Sequence, residues 1–159
     1  VLFWLNIIAA TGKSVEEITR EHWRKYGRSY YLRFDFDGIP TDTANKLMSD
    51  LEAKLPPLNG QKLGSYEVAK AEAFVYNDPV DHSSTQNGLR ILFTDGSRIV
   101  YRLSGTSSSG ATLRVYIEKF SRSELDAEPR QMVDELLKIA AELAEIEKRT
   151  GKKEADVTT

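Results

Sequence analysis

The chain has 159 residues, of which 40% are hydrophobic, enough for one domain with its own core and too few for two. Its 22 basic and 24 acidic residues leave a net charge of -2. That balance excludes a broad basic field, so no nucleic acid or anionic membrane is expected as a partner, and any anion must be bound locally. Cysteine is absent, which excludes a disulfide framework and a thiolate metal site and is compatible with a cytoplasmic location.

The apolar run Val1 to Ala10 is too short to span a bilayer and lacks the flanks of a cleaved leader. Leu2, Phe3, Leu5, Ile7 and Ile8 would wrap much of a helix in apolar surface, as expected of an element buried between domains. Beginning without Met and in mid-pattern, the chain reads as a piece of something longer. Ser14 with Glu17 three residues on is a capping box, opening a helix through about Tyr26 that Gly27 ends.

From Arg28 to Phe36 the alternation of Tyr30, Leu32, Phe34 and Phe36 with Tyr31, Arg33 and Asp35 predicts a strand, closed by a turn at Asp37-Gly38. A helix is expected from about Thr41 to Lys54, ended by Pro56-Pro57, with a polar loop through Leu63. Tyr66 to Tyr76 reads extended, and the polar stretch from Asn77 through Gly88 reads as a long loop. Leu89 to Thr94 and Arg98 to Leu103 form a hairpin around Asp95-Gly96-Ser97. Leu113, Val115 and Ile117 mark another strand. A final helix over about Pro129 to Arg149 places Met132, Leu136, Ile139, Leu143 and Ile146 on one face, and Gly151 ends it. The tail after Lys152 is expected to fray unless it docks elsewhere. This order predicts an α+β domain, a mainly antiparallel sheet with helices on one face.

The stretch from Arg102 to Arg114 carries the strongest functional signal. Ser104, Thr106, Ser107, Ser108 and Ser109 offer hydroxyls, Gly105 and Gly110 let backbone N–H groups turn toward a ligand, and Arg102 and Arg114 supply planar cationic forks. These are the groups of an oxyanion seat. The spacing of Gly105 and Gly110 is that of a nucleotide loop, but Ala111-Thr112 stands where Lys and Ser or Thr are required, and a strand follows instead of a helix. A Ser/Gly-rich hairpin loop or flexible linker is the plain alternative, though a linker has no need of an arginine at each end. His22 and His82 have no partners at ligand spacing. Asp78 and Asp81 read as turn residues, Asp35 and Asp37 as structural carboxylates, and Glu142 to Lys148 as an exposed charged helix face.

Several separated blocks resemble, in order, the C-terminal part of the α-D-glucose phosphoglucomutases of the phosphohexomutase family. They are His22-Trp23-Arg24-Lys25-Tyr26-Gly27-Arg28, Asp78-Pro79-Val80-Asp81, Gly88-Leu89-Arg90, Phe93 to Arg98, and Arg102 to Thr106 followed by Gly110 to Arg114. The resemblance implies that residues 1–26 end a preceding domain and its connector, and that residues 27–159 form a fourth domain of TATA-box-binding-protein-like fold. It further implies that Arg102, Ser104, Gly105, Thr106, Ser108 and Arg114 grip the phosphate that is not being transferred. Ser107 stands where related sequences often have glycine, which would strain a loop needing positive φ there.

By the same resemblance, the complete enzyme interconverts glucose 1-phosphate and glucose 6-phosphate through a phosphoserine and glucose 1,6-bisphosphate, with Mg²⁺. The phosphoserine block, the metal loop and the sugar-binding loop of that family do not occur in this chain. The fragment alone is therefore expected to be inactive. Its partners would be the sugar phosphate and the remaining domains. On the residues alone, a non-catalytic anion-binding or interaction module is the alternative.

Overall fold

Period-two alternation and capping chemistry translate directly into the elements of the structure, a computed structural model. It describes residues 1–107 and 110–159, with the side chains of Thr106 and Ser107 outside the description. Helices α1 (Leu2–Thr11) and α2 (Val15–Tyr26) lead into strand β1 (Arg28–Ile39) and helix α3 (Thr41–Lys54). A single 3-10 turn at Pro56–Leu58 is followed by β2 (Lys62–Leu63), β3 (Tyr66–Asn77), β4 (Ser84–Phe93), β5 (Arg98–Ser107) and β6 (Gly110–Ser121). Helices α4 (Pro129–Leu143) and α5 (Ile146–Thr150) and the short strand β7 (Val157–Thr158) complete the chain.

The seven strands form one sheet in the order β2-β3-β4-β5-β6-β1-β7, and every described pairing is antiparallel. One face is apolar: Phe34, Leu89, Ile91, Ile99, Tyr101, Leu113 and Val115 are buried there against Leu47 and Leu51 of α3 and Val133, Leu136 and Ala140 of α4. Each such side chain contributes about 1.5–3 kcal/mol by leaving water. Tyr101 also donates its hydroxyl to the Ala140 carbonyl at 3.0 Å, tying sheet to helix, and burial pushes its pKa up. The opposite face carries Arg33, Asp35, Arg90, Arg102, Arg114 and Tyr116.

Most expected elements form where the pattern places them, and several differ for identifiable reasons. Strand β1 runs on to Ile39 instead of turning at Asp37-Gly38, because one extra residue is absorbed as a bulge between Phe36 and Ile39. The loop expected through Gly88 is short. The polar residues Ser84 to Gln86 pair with β3 as part of β4, with Asn87 taken up as a bulge, since ladder pairing needs no apolar side chains. Asp78 and Asp81 do close the remaining turn: Asp78 Oδ1 accepts from the Val80 and Asp81 amides at 2.7 and 3.2 Å, and Asp81 Oδ1 from the Ser83 amide at 2.8 Å.

The final helix is two helices. Between them Glu145 adopts φ +50°, a left-handed conformation rarely taken by a residue with a side chain. Its carboxylate offsets that strain by accepting from Lys148 Nζ at 3.0 Å and from Arg149 Nε and Nη2 at 3.0 and 2.7 Å. Arg149 Nη1 reaches Asp50 Oδ2 of α3 at 2.7 Å. The break thus turns the chain so that α5 clamps α3.

The tail docks instead of fraying. Val157 and Thr158 pair with Asp35 and Phe34, and Arg33 exchanges backbone hydrogen bonds with Thr159 at 2.7 and 3.0 Å. At the other terminus, α1 buries no residue. Leu2 and Phe3 are 78% and 76% exposed, so the burial expected for this helix is not supplied by this chain. Helix α2 has the expected capping box and is held by the Arg20–Asp126 ion pair and by Arg28 stacked on Trp23 at 4.1 Å. Among the described residues no helix is long and apolar enough to cross a membrane.

Two consequences are measurable. The Glu145 carboxyl is held down to about 2 by its hydrogen bonds to Arg149 and Lys148. A depressed folded pKa contributes stability that is fully present above the ordinary value of 4.5 and lost as pH falls through about 2. Melting curves of wild type and E145Q should therefore differ at neutral pH and converge across that window. Gly88, at φ +127°, has no room for a side chain, because a Cβ would stand 2.3 Å from the Tyr101 carbonyl oxygen. G88A should destabilise the fold by about 2–3 kcal/mol or more in denaturant titration.

Candidate anion-binding site

Strand β6 lies between β5 and β1, and its register decides which polar side chains become neighbours. Arg114 stands directly opposite Arg102 on one side and Asp35 on the other, with Val157 beyond Asp35. Opposed residues in an antiparallel ladder share a face, with Cβ atoms about 4.5–5.5 Å apart. Arg102 and Arg114 therefore project on the same side of the sheet. Like charges so placed repel, and the arrangement is unfavourable until an anion bridges or neutralises it.

Asp35 supplies part of that neutralisation. Its side chain is only 8% exposed, with Oδ1 2.9 Å from Arg33 Nε and Oδ2 3.6 Å from Arg114 Nε. None of Asp35 Oδ1, Arg33 Nε and Arg114 Nε is aligned for a hydrogen bond, so these are charge contacts. Arg90 is engaged elsewhere: it donates from Nε to Glu72 Oε1 at 2.6 Å and lies over the Phe74 ring at 4.5 Å. Three guanidinium groups against one carboxylate leave the row Arg102–Arg114–Asp35, with Arg33, in surplus positive charge. Arg102 is exposed and Arg114 retains 36% side-chain exposure, so a dianion can reach both.

Next toward the loop, Ser104 pairs with Thr112, whose hydroxyl donates to Asp37 Oδ1 at 2.7 Å. Here both neighbours of β6 bulge at the same height. Gly105, at φ +66°, is the extra residue of β5, and Asp37-Gly38 stands opposite Thr112 alone. Bulges bend a strand and re-aim its side chains, and they gather beside functional sites. Beyond them the ladder continues, with Thr106 opposite Ala111 and Ser107 opposite Gly110. The segment expected to be an open loop from Ser104 is thus mostly hairpin. Gly110, at φ +99°, packs so closely on the end of β1 that a Cβ would stand 2.8 Å from the Ile39 carbonyl oxygen.

Of the expected site residues, the structure brings Arg102, Ser104, Gly105 and Arg114 to one end of one sheet face. The Thr106 backbone follows in the ladder. Ser108, like Ser109, lies outside the described residues, as does the Thr106 side chain. Sequence reasoning assigned no part to Arg33, none to Thr112 beyond its place in a resembling block, and only a structural one to Asp35. A signal existed for Asp35, an acid within the polar period of a strand, where acids are depleted. Among the described residues no group of three or more His, Cys, Asp or Glu stands together as a metal cage.

Comparison with known proteins places the chain in a family. The family described as Phosphoglucomutase-1, C-terminal domain, matches residues 28–156. Human phosphoglucomutase-1 is 43% identical over 168 aligned positions, covering all of this chain and 30% of that protein. Phosphoglucomutase of Rhizobium radiobacter is 46% identical over 165, and human phosphoglucomutase-like protein 5 is 46% identical over 168, again with 100% and 30% coverage. Among solved structures, the open form of the Paramecium exocytosis-sensitive phosphoprotein pp63/parafusin superposes with a TM-score of 0.86 at 37% identity, covering 98% of this chain and 28% of that one. The chain therefore spans about 30% of the length of these relatives. With the family model covering most of its length, the chain belongs to the phosphoglucomutase-1 C-terminal domain family.

Proposed function

We propose that this domain holds the non-transferred phosphate of a hexose phosphate during intramolecular phosphoryl transfer between glucose 1-phosphate and glucose 6-phosphate. The observation that carries this reading is the pairing of Arg102 with Arg114 across β5 and β6, on one face and at the base of the Ser/Gly hairpin. Guanidinium forks suit phosphate oxygens, and the hydroxyl of Ser104 with the amides around Gly105 completes a seat for the remaining lone pairs. Thr106 and Ser108 extend that seat in the same reading.

The physical contribution is proximity. Fixing one phosphate of glucose 1,6-bisphosphate presents the other end of the sugar to a phosphoserine on the preceding domains, and rotation of this domain opens and closes the cleft. Residues 1–26 serve as the connector and residues 27–159 as the moving domain. Mg²⁺, where the complete enzyme binds it, would supply charge neutralisation from outside this domain. The described residues of this domain offer it no group of three or more His, Cys, Asp or Glu.

A second reading is a non-catalytic anion-binding or interaction module, which would use the same arginine pair without a phosphotransfer domain. One experiment separates the two. In the full-length protein carrying this domain, R102A should raise KM for glucose 1-phosphate by about ten- to a hundredfold and lower kcat/KM, the loss of one charge-assisted contact. Phosphorylation of the serine by the bisphosphate should survive. Unchanged steady-state constants defeat the phosphate-binding reading, and a full-length protein without mutase activity supports the module.

A further inference from the structure

We propose that Asp35 is a positioning residue that orients the Arg114 guanidinium toward the phosphate, an inference that rests on the phosphate-binding reading above. Asp35 lies on the same cross-strand row as Arg114 and Arg102, and at 5% exposure it is the one charged residue buried among the described residues. Its backbone cannot drift. Strand β7 lines its outer edge, the Asp156 amide donates to the Asp35 carbonyl at 2.8 Å, and Thr159 brackets Arg33 through two backbone hydrogen bonds.

From that fixed backbone the carboxylate meets Arg114 at Nε, 3.6 Å from Oδ2. Charge attraction at Nε draws the inner end of the guanidinium toward Asp35 and leaves the terminal amino groups free to form the fork that grips a phosphate. Arg33 Nε, 2.9 Å from Oδ1, places a second positive charge against the other carboxylate oxygen. A long arginine side chain on an exposed sheet face otherwise samples many rotamers, and each would have to be frozen when the anion binds.

Electrostatics alone predicts the opposite sign, which makes the proposal decidable. Asp35 is negative and close to the arginine pair, so as a bare charge it weakens anion binding, and its neutralisation should tighten it. As an orienting group, its neutralisation should loosen binding. In the full-length protein, D35N should raise KM for glucose 1-phosphate by about tenfold and leave kcat within about threefold. On an R114A background the same substitution should add less than about twofold, because its effect passes through Arg114.

An unchanged or lower KM for D35N overturns the inference, as does an equal factor in both backgrounds. If D35N gives no cooperative melt, D35E decides by the same cycle: it keeps the charge but displaces it by one methylene, so a positioning role still raises KM while a pure charge role leaves it unchanged. R114A alone separates phosphate binding from the role of Asp35. Should R114A leave KM unaltered, the phosphate-binding reading fails; should R114A raise it while D35N is inert, only the role of Asp35 fails.

Discussion

Two arginines facing one another across neighbouring strands, with a buried carboxylate beside one of them, set the character of this domain. A sheet does not place Arg102 opposite Arg114 for its own stability, since like charges in that position repel. Asp35 relieves part of the repulsion and is itself shared with Arg33. The surplus positive charge is then concentrated at one end of a single sheet face, in a chain whose overall charge is slightly negative. Anion attraction is local because the chain as a whole provides none.

The scaffold explains how so exposed a group of charges is kept in register. The apolar face of the same strands is fastened to α3 and α4 by a continuous core, so a slip of one residue would turn that core toward water. Paired bulges at Thr112 then bend β1 and β5 where the hairpin begins, and Gly110 lets the hairpin lie against the end of β1. The C-terminal strand adds the last restraint. Asp156 accepts from the Asp37 amide at 2.8 Å, and Asp37 in turn receives the Thr112 hydroxyl, so the chain end is linked to the base of the hairpin.

Membership of the phosphoglucomutase-1 C-terminal domain family gives this construction a purpose consistent with its chemistry. A domain covering about 30% of its relatives need not contain a reacting group to matter for catalysis. Under the proposed reading it contributes orientation, which is worth little in an isolated domain and much when another domain carries the nucleophile. Under the same proposed reading, the exposed apolar surface of α1 would serve attachment and the polar seat on the sheet anion recognition.

Alternation of Tyr30, Leu32, Phe34 and Phe36, the Ser14–Glu17 capping box, the Asp95-Gly96-Ser97 turn and the helical spacing after Pro129 were all legible in the sequence, as was the pairing of arginines with hydroxyls and glycines around Gly105. These signals are local, each arising from backbone and side-chain preferences within a turn or a strand. The partner of Asp35, the docking of Val157 and Thr158, the break at Glu145 and the extension of β4 through polar residues were decided only by the tertiary structure. Each depends on ladder register or charge contacts between segments far apart in the chain, and a period read along one strand carries no information about which residue will stand across from it.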